Sequence, residues 1–128
     1  MKVSIGQYIY SALSAIEGLT VFPVVAYFNN SVPSTPYSDY IRNGCSPEYA
    51  KDGFTGEITH YYEIRIVDND YTNTLSLAEQ AINAIISLSY QTKADIRFGQ
   101  VQLTDLSEDF DAGLFIQTLN FEINTTEI

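Results

Sequence analysis

Four acidic side chains near the C-terminal end form the densest group of potential metal ligands in the sequence. Asp105, Glu108, Asp109 and Asp111 lie close together, and hard divalent cations prefer carboxylate oxygens as ligands. The segment lacks the glycine at the sixth place and the glutamate at the twelfth that define a calcium-binding loop. We therefore interpret residues 105–113 as a solvated acidic turn, with a metal-dependent enzyme as the alternative.

His60 and Cys45 are the other residues whose chemistry could support catalysis. His60 is the only histidine and falls on the apolar face of a predicted strand. No adjoining Ser, Cys or Asp signature supplies the partner that a general base needs, so we expect a structural histidine. Cys45 is the only cysteine, and we expect it to be a small buried apolar residue. One thiol can form neither an intramolecular disulfide nor a zinc site.

Short motifs with known chemistry do not occur in a suitable context. Residues Gly53 to Gly56 have the bare GxxG spacing, but that nucleic-acid-binding loop needs flanking helices and basic neighbours. Here a predicted strand follows and acidic residues surround the motif. No phosphate-binding glycine loop, GxSxG motif or HExxH motif is present. The sequence predicts a protein that is not an enzyme and that has no cofactor and no metal site.

Composition narrows the class of protein further. The 128 residues suit one domain, residues 1–128, and a hydrophobic content of 45% excludes a disordered chain. Sixteen acidic and six basic residues give a net charge of -10, which excludes a sequence-reading nucleic-acid binder because such a surface repels phosphate. There is no run of eighteen apolar residues, and polar residues interrupt the first apolar stretch, so we expect no membrane contact and no export signal.

The first third of the chain contains one clear element. Apolar residues at three- and four-residue spacing predict an amphipathic helix between Ser4 and Gly18. The run from Val21 to Tyr27 favours a brief or edge strand because Pro23 cannot donate to a ladder. Phe28 to Pro36 has the Asn, Ser and Pro density of a loop.

A hairpin and a second helix are predicted next. Tyr37 to Ser46 is read as a strand, and Pro47 to Gly56 has turn chemistry. The following strand is the clearest: Ile58, His60, Tyr62, Ile64 and Ile66 alternate with Thr59, Tyr61, Glu63 and Arg65. Leu75 to Leu88 predicts a helix capped by Thr72 or Asn73. Its polar residues occupy an arc of only about 100°, so we expect burial on more than one side.

Two further strands complete the predicted fold. Between Ile96 and Thr104 the apolar residues change from even to odd positions, which predicts a β-bulge at Gly99. The last strand, Leu114 to Asn124, places Phe115, Leu119, Phe121 and Ile123 on one face. The predicted fold class is α+β, with a mostly antiparallel sheet of four to five strands and two helices on one face.

The aromatic composition suggests contacts between proteins. The chain has ten tyrosines and seven phenylalanines, and tyrosine is enriched where one protein meets another. A generic role for tyrosine in half-buried strand positions is the alternative. The candidate interface residues are Phe28, Tyr37, Tyr40, Tyr49, Phe54, Tyr61, Glu63, Arg65 and Tyr71.

The succession of segments resembles a known family. The resemblance begins with the stretch from Pro36-Tyr37 to Arg42, which is followed by SPEY at 46–49 and by Asp52-Gly53. The chain continues with EITHYYEIRIVDNDY, LSLAEQAINAI and LTDLSEDFDAGLFIQTLNFEI. This order is similar to the tail-completion or tail-terminator proteins of long-tailed bacteriophages and related prophages. The likeness covers nearly the whole chain.

The resemblance implies a structural virion protein, assembled in the bacterial cytoplasm, that forms a ring at the head-proximal end of the tail tube. The implied ring is a homo-oligomer, typically a hexamer, that stops tube polymerisation. Its implied partners are the tail tube protein and the head-tail connector or adaptor proteins, with DNA passing through the lumen without specific binding. The alternative is a small protein-binding or regulatory module that uses a tyrosine-rich sheet face.

Overall fold

A computed structural model describes residues 1–24 and 33–128 of the chain. Two helices and six strands follow one another in the order α1 (Gly6–Ser14), β1 (Thr20–Pro23), β2 (Tyr37–Ala50), β3 (Gly53–Asp68), α2 (Tyr71–Ile86), β4 (Thr92–Lys93), β5 (Ile96–Asp111) and β6 (Leu114–Glu127). The predicted interface residue Phe28 and most of the predicted loop at 28–36 lie outside the described residues.

The strands form one mixed sheet in the order β1-β2-β3-β6-β5-β4. β1 pairs with β2 in parallel, and every other neighbouring pair is antiparallel. The α+β class and the mostly antiparallel pairing are confirmed, whereas the predicted count of four to five strands was too low. β1 lies at the edge, as expected for a strand that contains Pro23.

Alternation along β3 and β6 builds the core. The predicted face of β3 is buried from Ile58 to Ile66, and it pairs with a buried face of β6 that runs from Gln117 to Thr125. Both helices pack near these side chains, since α1 contacts α2 and β1 while α2 contacts β3, β5 and β6. The predicted register of β3 is therefore confirmed, with Tyr61, Glu63 and Arg65 on the face away from the helices.

Helix α2 begins earlier than predicted. Asp70 is the N-cap, and its carboxylate Oδ1 accepts a hydrogen bond from the backbone N–H of Asn73 at 3.1 Å. The expected caps, Thr72 and Asn73, instead lie inside the first turn, because an extended Asp70 offers a stronger acceptor. The contacts of α2 with both the sheet and α1 confirm that its wide apolar surface is covered on more than one side.

The β-bulge at Gly99 is confirmed. Phe98 pairs with Thr125 and Val101 with Ile123, so two residues of β5 stand opposite one residue of β6. A Cβ atom added at Gly99 would lie 3.1 Å from the side-chain oxygen of Asn124. The close approach explains why glycine is suited to this position.

The predicted acidic turn at 105–113 was wrong. β5 continues to Asp111, and the connection to β6 is the two-residue turn Ala112-Gly113, in which both residues have positive φ angles of 51° and 81°. Such a turn matches the twist of a hairpin. The acidic residues therefore lie along an extended strand. Likewise β2 and β3 extend through most of the predicted turn at 47–56, and register shifts next to Arg42 and Pro47 keep them paired.

Candidate protein-interaction surface

In the described part of the chain, both helices lie on one face of the sheet and none lies on the other. On the helix-free face, Tyr61 pairs with Glu122, Glu63 with Asn120 and Arg65 with Thr118. These side chains are exposed or half-buried. The face is therefore polar and hydrated, with Tyr61 as its exposed aromatic residue.

Arg65 on this face is held by an ion pair. Its Nε donates to Oδ1 of Asp39 at 2.8 Å, and its Nη2 donates to Oδ2 of the same carboxylate. Asp39 is the directly opposite residue on β2 and is only 2% exposed. Hydrogen bonding to Asp39 raises the pKa of Arg65 above its ordinary value, against the opposing effect of burial. The bidentate geometry locks β2 to β3 and fixes the Arg65 head group, which limits its use in docking.

Tyr37 belongs to a small apolar cluster on the same face. It is buried together with Val67, and Phe22, Leu114 and Ile116 pack around the two residues. The rings of Phe22 and Tyr37 meet edge to face with centroids 6.3 Å apart. Tyr37 therefore supports the junction of β1, β2 and β3 and does not offer its ring to a partner.

Tyr40 is also unavailable for an external contact. It lies on the helix-covered face, in the main core with Tyr62. A Cβ atom added at Gly6 in α1 would lie 3.6 Å from both tyrosine side chains, which shows how closely α1 approaches them. Burial raises the pKa of Tyr40. Tyr40 was predicted as an interface residue, but α1, which comes from a distant part of the chain, covers it.

Tyr49 and Phe54 form an aromatic pair near the tip of the β2–β3 hairpin, in which Phe54 is half-buried. Their ring centroids are 6.1 Å apart, and Tyr49 is 64% exposed. Close by, a hydrogen bond with Glu57 raises the pKa of Glu48. The hairpin tip thus carries two aromatic side chains beside two neighbouring carboxyl groups.

A second aromatic cluster lies where α2 begins. The ring of Phe115 is 5.3 Å from Tyr71 and 4.8 Å from Phe110, measured between centroids. Phe110 is 59% exposed, and these residues line a shallow cavity of about 370 Å³ together with Glu108 and Asp109. Tyr71 was predicted as an interface residue, but Phe110 was missed. Leu106 and Phe110 share one strand face, but the charged Glu108 between them interrupts the apolar alternation, so the sequence carried only a weak signal for a strand here.

Glu108 orders this cluster. Its Oε1 accepts hydrogen bonds from the Tyr71 hydroxyl at 2.8 Å and from the Gln117 amide at 3.1 Å. Bonding to Glu108 raises the pKa of the Tyr71 hydroxyl. A carboxylate that had been considered as a metal ligand thus serves as an acceptor for neighbouring side chains. Within residues 1–24 and 33–128, no group of three or more His, Cys, Asp or Glu side chains could hold a metal ion.

His60 and Cys45 differ in their surroundings although they pair directly across β2 and β3. His60 is fully buried, and its Nε2 lies 3.1 Å from the hydroxyl of Thr125. Burial, with a smaller effect of Arg42, lowers the pKa of His60 to about 4. Cys45 is exposed, so the prediction of a buried thiol was wrong. The reason is that the helices cover only part of this sheet face.

Comparisons with known proteins find a similarity of fold but none of sequence. The sequence matches no protein-family profile and no curated protein. The fold is similar to that of a solved chain described as belonging to the virion of a native gene transfer agent particle, with a TM-score of 0.70 and 13% sequence identity. The alignment covers 92% of this chain and 91% of that chain. In the described part of the chain, no helix is long and apolar enough to cross a membrane.

Proposed function

We propose that this chain is a structural virion protein that forms a closed ring, a hexamer, at the head-proximal end of a phage tail tube. In this role it ends polymerisation of the tube and joins the tail to the head connector. The observation that carries the proposal is the similarity of fold, over nearly the full length of both chains, to a component of a gene transfer agent virion. The order of sequence segments resembles tail-terminator proteins and supports the same role.

The distribution of chemistry in the described residues fits a protein that acts by contact. Exposed aromatic side chains stand at several separate places, which include the β2–β3 hairpin tip, the helix-free face and the start of α2. Tyr10 on α1 and Tyr90 after α2 are exposed as well. The single histidine is buried beside Thr125, away from solvent. A protein that packs against copies and neighbours needs several such patches, so a role that is not enzymatic forms part of the proposal.

The negative net charge of the chain is consistent with a ring whose lumen lets DNA pass. Each chain carries a net charge of -10, so six copies would place roughly -60 charges around one axis, and walls of the same sign as DNA discourage adhesion. Specific DNA binding is not part of the proposed role.

Deletion of the gene in the producing phage tests the function. Loss of a terminator should give tail tubes of uncontrolled length that do not join heads, whereas loss of a connector-side adaptor should give tubes of normal length without heads. Labelling of the chain in intact particles should place it at the head-proximal end of the tail. Normal joined particles from the deletion strain, or label elsewhere, would contradict the proposal.

A second candidate is a binding module that uses the helix-free sheet face. Exposure of Tyr61 within a polar face favours it. Such a module should remain a monomer at high concentration and capture a protein that is not part of a virion. Native mass spectrometry separates the two candidates, because the ring protein should show one discrete higher oligomer.

A further inference from the structure

Within residues 1–24 and 33–128, the outer edge of β2 has a neighbour along only part of its length. β1 pairs with residues 37–40, and the N–H of Val24 donates to the carbonyl of Tyr40. From residue 41 to residue 50, which we call the β2 free edge, no strand of the described residues pairs with this side. Unpaired N–H and C=O groups on such an edge are a template for another strand.

Along the outer edge of β5, other described segments of the chain bond only to the first residues, 96–101. This is the part of the sheet that is level with the β2 free edge. β4 pairs only with Ile96 and Arg97. The segment after α2 then bonds to β5 as far as Val101, whose N–H donates to the Ser89 hydroxyl at 3.0 Å. From residue 102 to residue 111, the β5 free edge, no described strand pairs with the outer side. Both free edges lie on the same sheet, one at each margin, and they run antiparallel to each other.

Side chains on the β5 free edge discourage pairing of that edge with itself. It carries four acidic residues and no basic residue, and like charges placed opposite each other destabilise a sheet. The β2 free edge contains one acid and one base, Arg42, and Lys51 follows it directly. Two β2 free edges would in turn bring together two copies of Pro47, each without an N–H donor. The combination of one β2 edge with one β5 edge avoids both penalties.

Exposed apolar side chains accompany these edges. Leu106 and Phe110 on β5 are 48% and 59% exposed, and Tyr49 on β2 is also exposed. Large apolar residues standing on an unpaired edge are a hazard in a monomer. A strand from a second molecule would cover them.

Geometry sets how the two edges would meet. Cys45, near the centre of the β2 free edge, is level with Val101 through the registers of β3 and β6. The centre of the β5 free edge pairs with Leu119 and Thr118 of β6, four to five residues from the partner of Val101. The stagger is therefore about 15 Å, while one repeat of four strands is about 19 Å wide. The strands would therefore tilt by about 40° from the axis of assembly, within the 35–45° typical of closed barrels.

We propose that the β2 free edge of one copy pairs antiparallel with the β5 free edge of the next copy, so that the sheets of neighbouring subunits become continuous. The contact is heterologous, since each copy uses two different surfaces, and such contacts close into rings when the rotation permits. This inference rests on the proposed ring and names the surface that builds it.

Disulfide cross-linking tests the pairing. Cys45 is the only native cysteine and is exposed on the β2 free edge. It points to the same face as Leu106 and Glu108, because their partners on β3 and β6 all face the helices. Directly paired residues share a face and come within the Cα separation that a disulfide allows. Mild oxidation with oxidised glutathione should therefore convert Leu106→Cys or Glu108→Cys protein into a ladder that ends at one discrete oligomer.

The matched control is Ser107→Cys, which adds a thiol to the same exposed edge but on the opposite face. This variant and the wild type should give dimers through Cys45 at most. The inference is overturned if neither Leu106→Cys nor Glu108→Cys exceeds the control at the highest soluble concentration. Rings of the wild type seen by native mass spectrometry without such a ladder would leave the proposed function standing and remove this interface. A cross-linked ladder from a chain that is absent from virions would support this interface and contradict the proposed function.

Discussion

The buried histidine should make the stability of this chain fall steeply under mildly acidic conditions. Burial lowers the pKa of His60 in the folded protein from 6.5 to about 4. As the pH falls through 6.5, His60 therefore takes up a proton in the unfolded chain, whereas in the folded chain it does not until the pH approaches 4. Protonation favours the unfolded state in this window, so stability is lost as the pH falls and the loss levels off below the folded pKa.

The size of the loss follows from the shift. With 1.36 kcal/mol for each pKa unit, His60 should cost about 2 kcal/mol at about pH 5 relative to about pH 7.5, and about 3 kcal/mol once the pH is below the folded pKa. Urea unfolding followed by circular dichroism at these two pH values measures the effect. The chain concentration is held fixed because oligomerisation also stabilises the folded state.

The comparison variant is His60→Gln, which keeps a polar group facing Thr125 but does not titrate. Carboxylates titrate in both proteins, so their contribution cancels in the difference between wild type and variant. The wild type should lose about 2 kcal/mol more than the variant between the two pH values. Because His60 is the only histidine, its ring resonances also report the pKa directly by NMR. The same pH dependence in both proteins, or a measured pKa of about 6 or more, would refute the reasoning.

Three further features of the fold can be tested by substitution, each followed by chemical denaturation. Asp70→Ala should cost about 1 kcal/mol by removing the N-cap of α2, whereas Thr72→Ala should change stability by less than about 0.5 kcal/mol; equal effects would contradict the assigned cap. Gly99→Val should cost roughly 1–3 kcal/mol because the bulge has no room for a branched side chain, and a neutral result would argue against the close approach to β6. Arg65→Met should cost about 3 kcal/mol of stability, because the buried Asp39 carboxylate loses the arginine cation. Asp39→Asn should cost only about 1–2 kcal/mol, because the partly exposed guanidinium can reach water. The opposite ranking would exclude this account of the ion pair.

Local periodicity identified the elements whose burial repeats regularly. The alternation from Ile58 to Ile66 gave the correct register of β3, because a strand buried on one face repeats every second residue. The phase change around Gly99 located the bulge for the same reason. Helix α2 was recognised from its 3.6-residue period, although its start was displaced because several polar residues precede it.

Residues on a free edge gave a misleading pattern. Asp105 to Asp111 have the composition of a turn, yet they belong to β5, whose backbone hydrogen bonds are supplied by β6. A polar composition indicates that a segment is exposed to solvent, but it does not distinguish a turn from a strand. An edge strand that no helix covers is exposed on both faces, so it has the composition of a turn. The same reason separates Tyr40 from Tyr49, which share β2 but differ in whether a helix lies above them.

The sequence alone determined the α+β class, the two helices, the principal strand and its core face, and the acidic charge, because these depend on local spacing and composition. Tertiary structure alone decided that β6 lies between β3 and β5, that β1 joins in parallel, and that the described segments cover the two margins of the sheet in complementary halves. Those outcomes depend on contacts between residues far apart in the chain, and no local repeat encodes which distant segment will supply the missing hydrogen bonds.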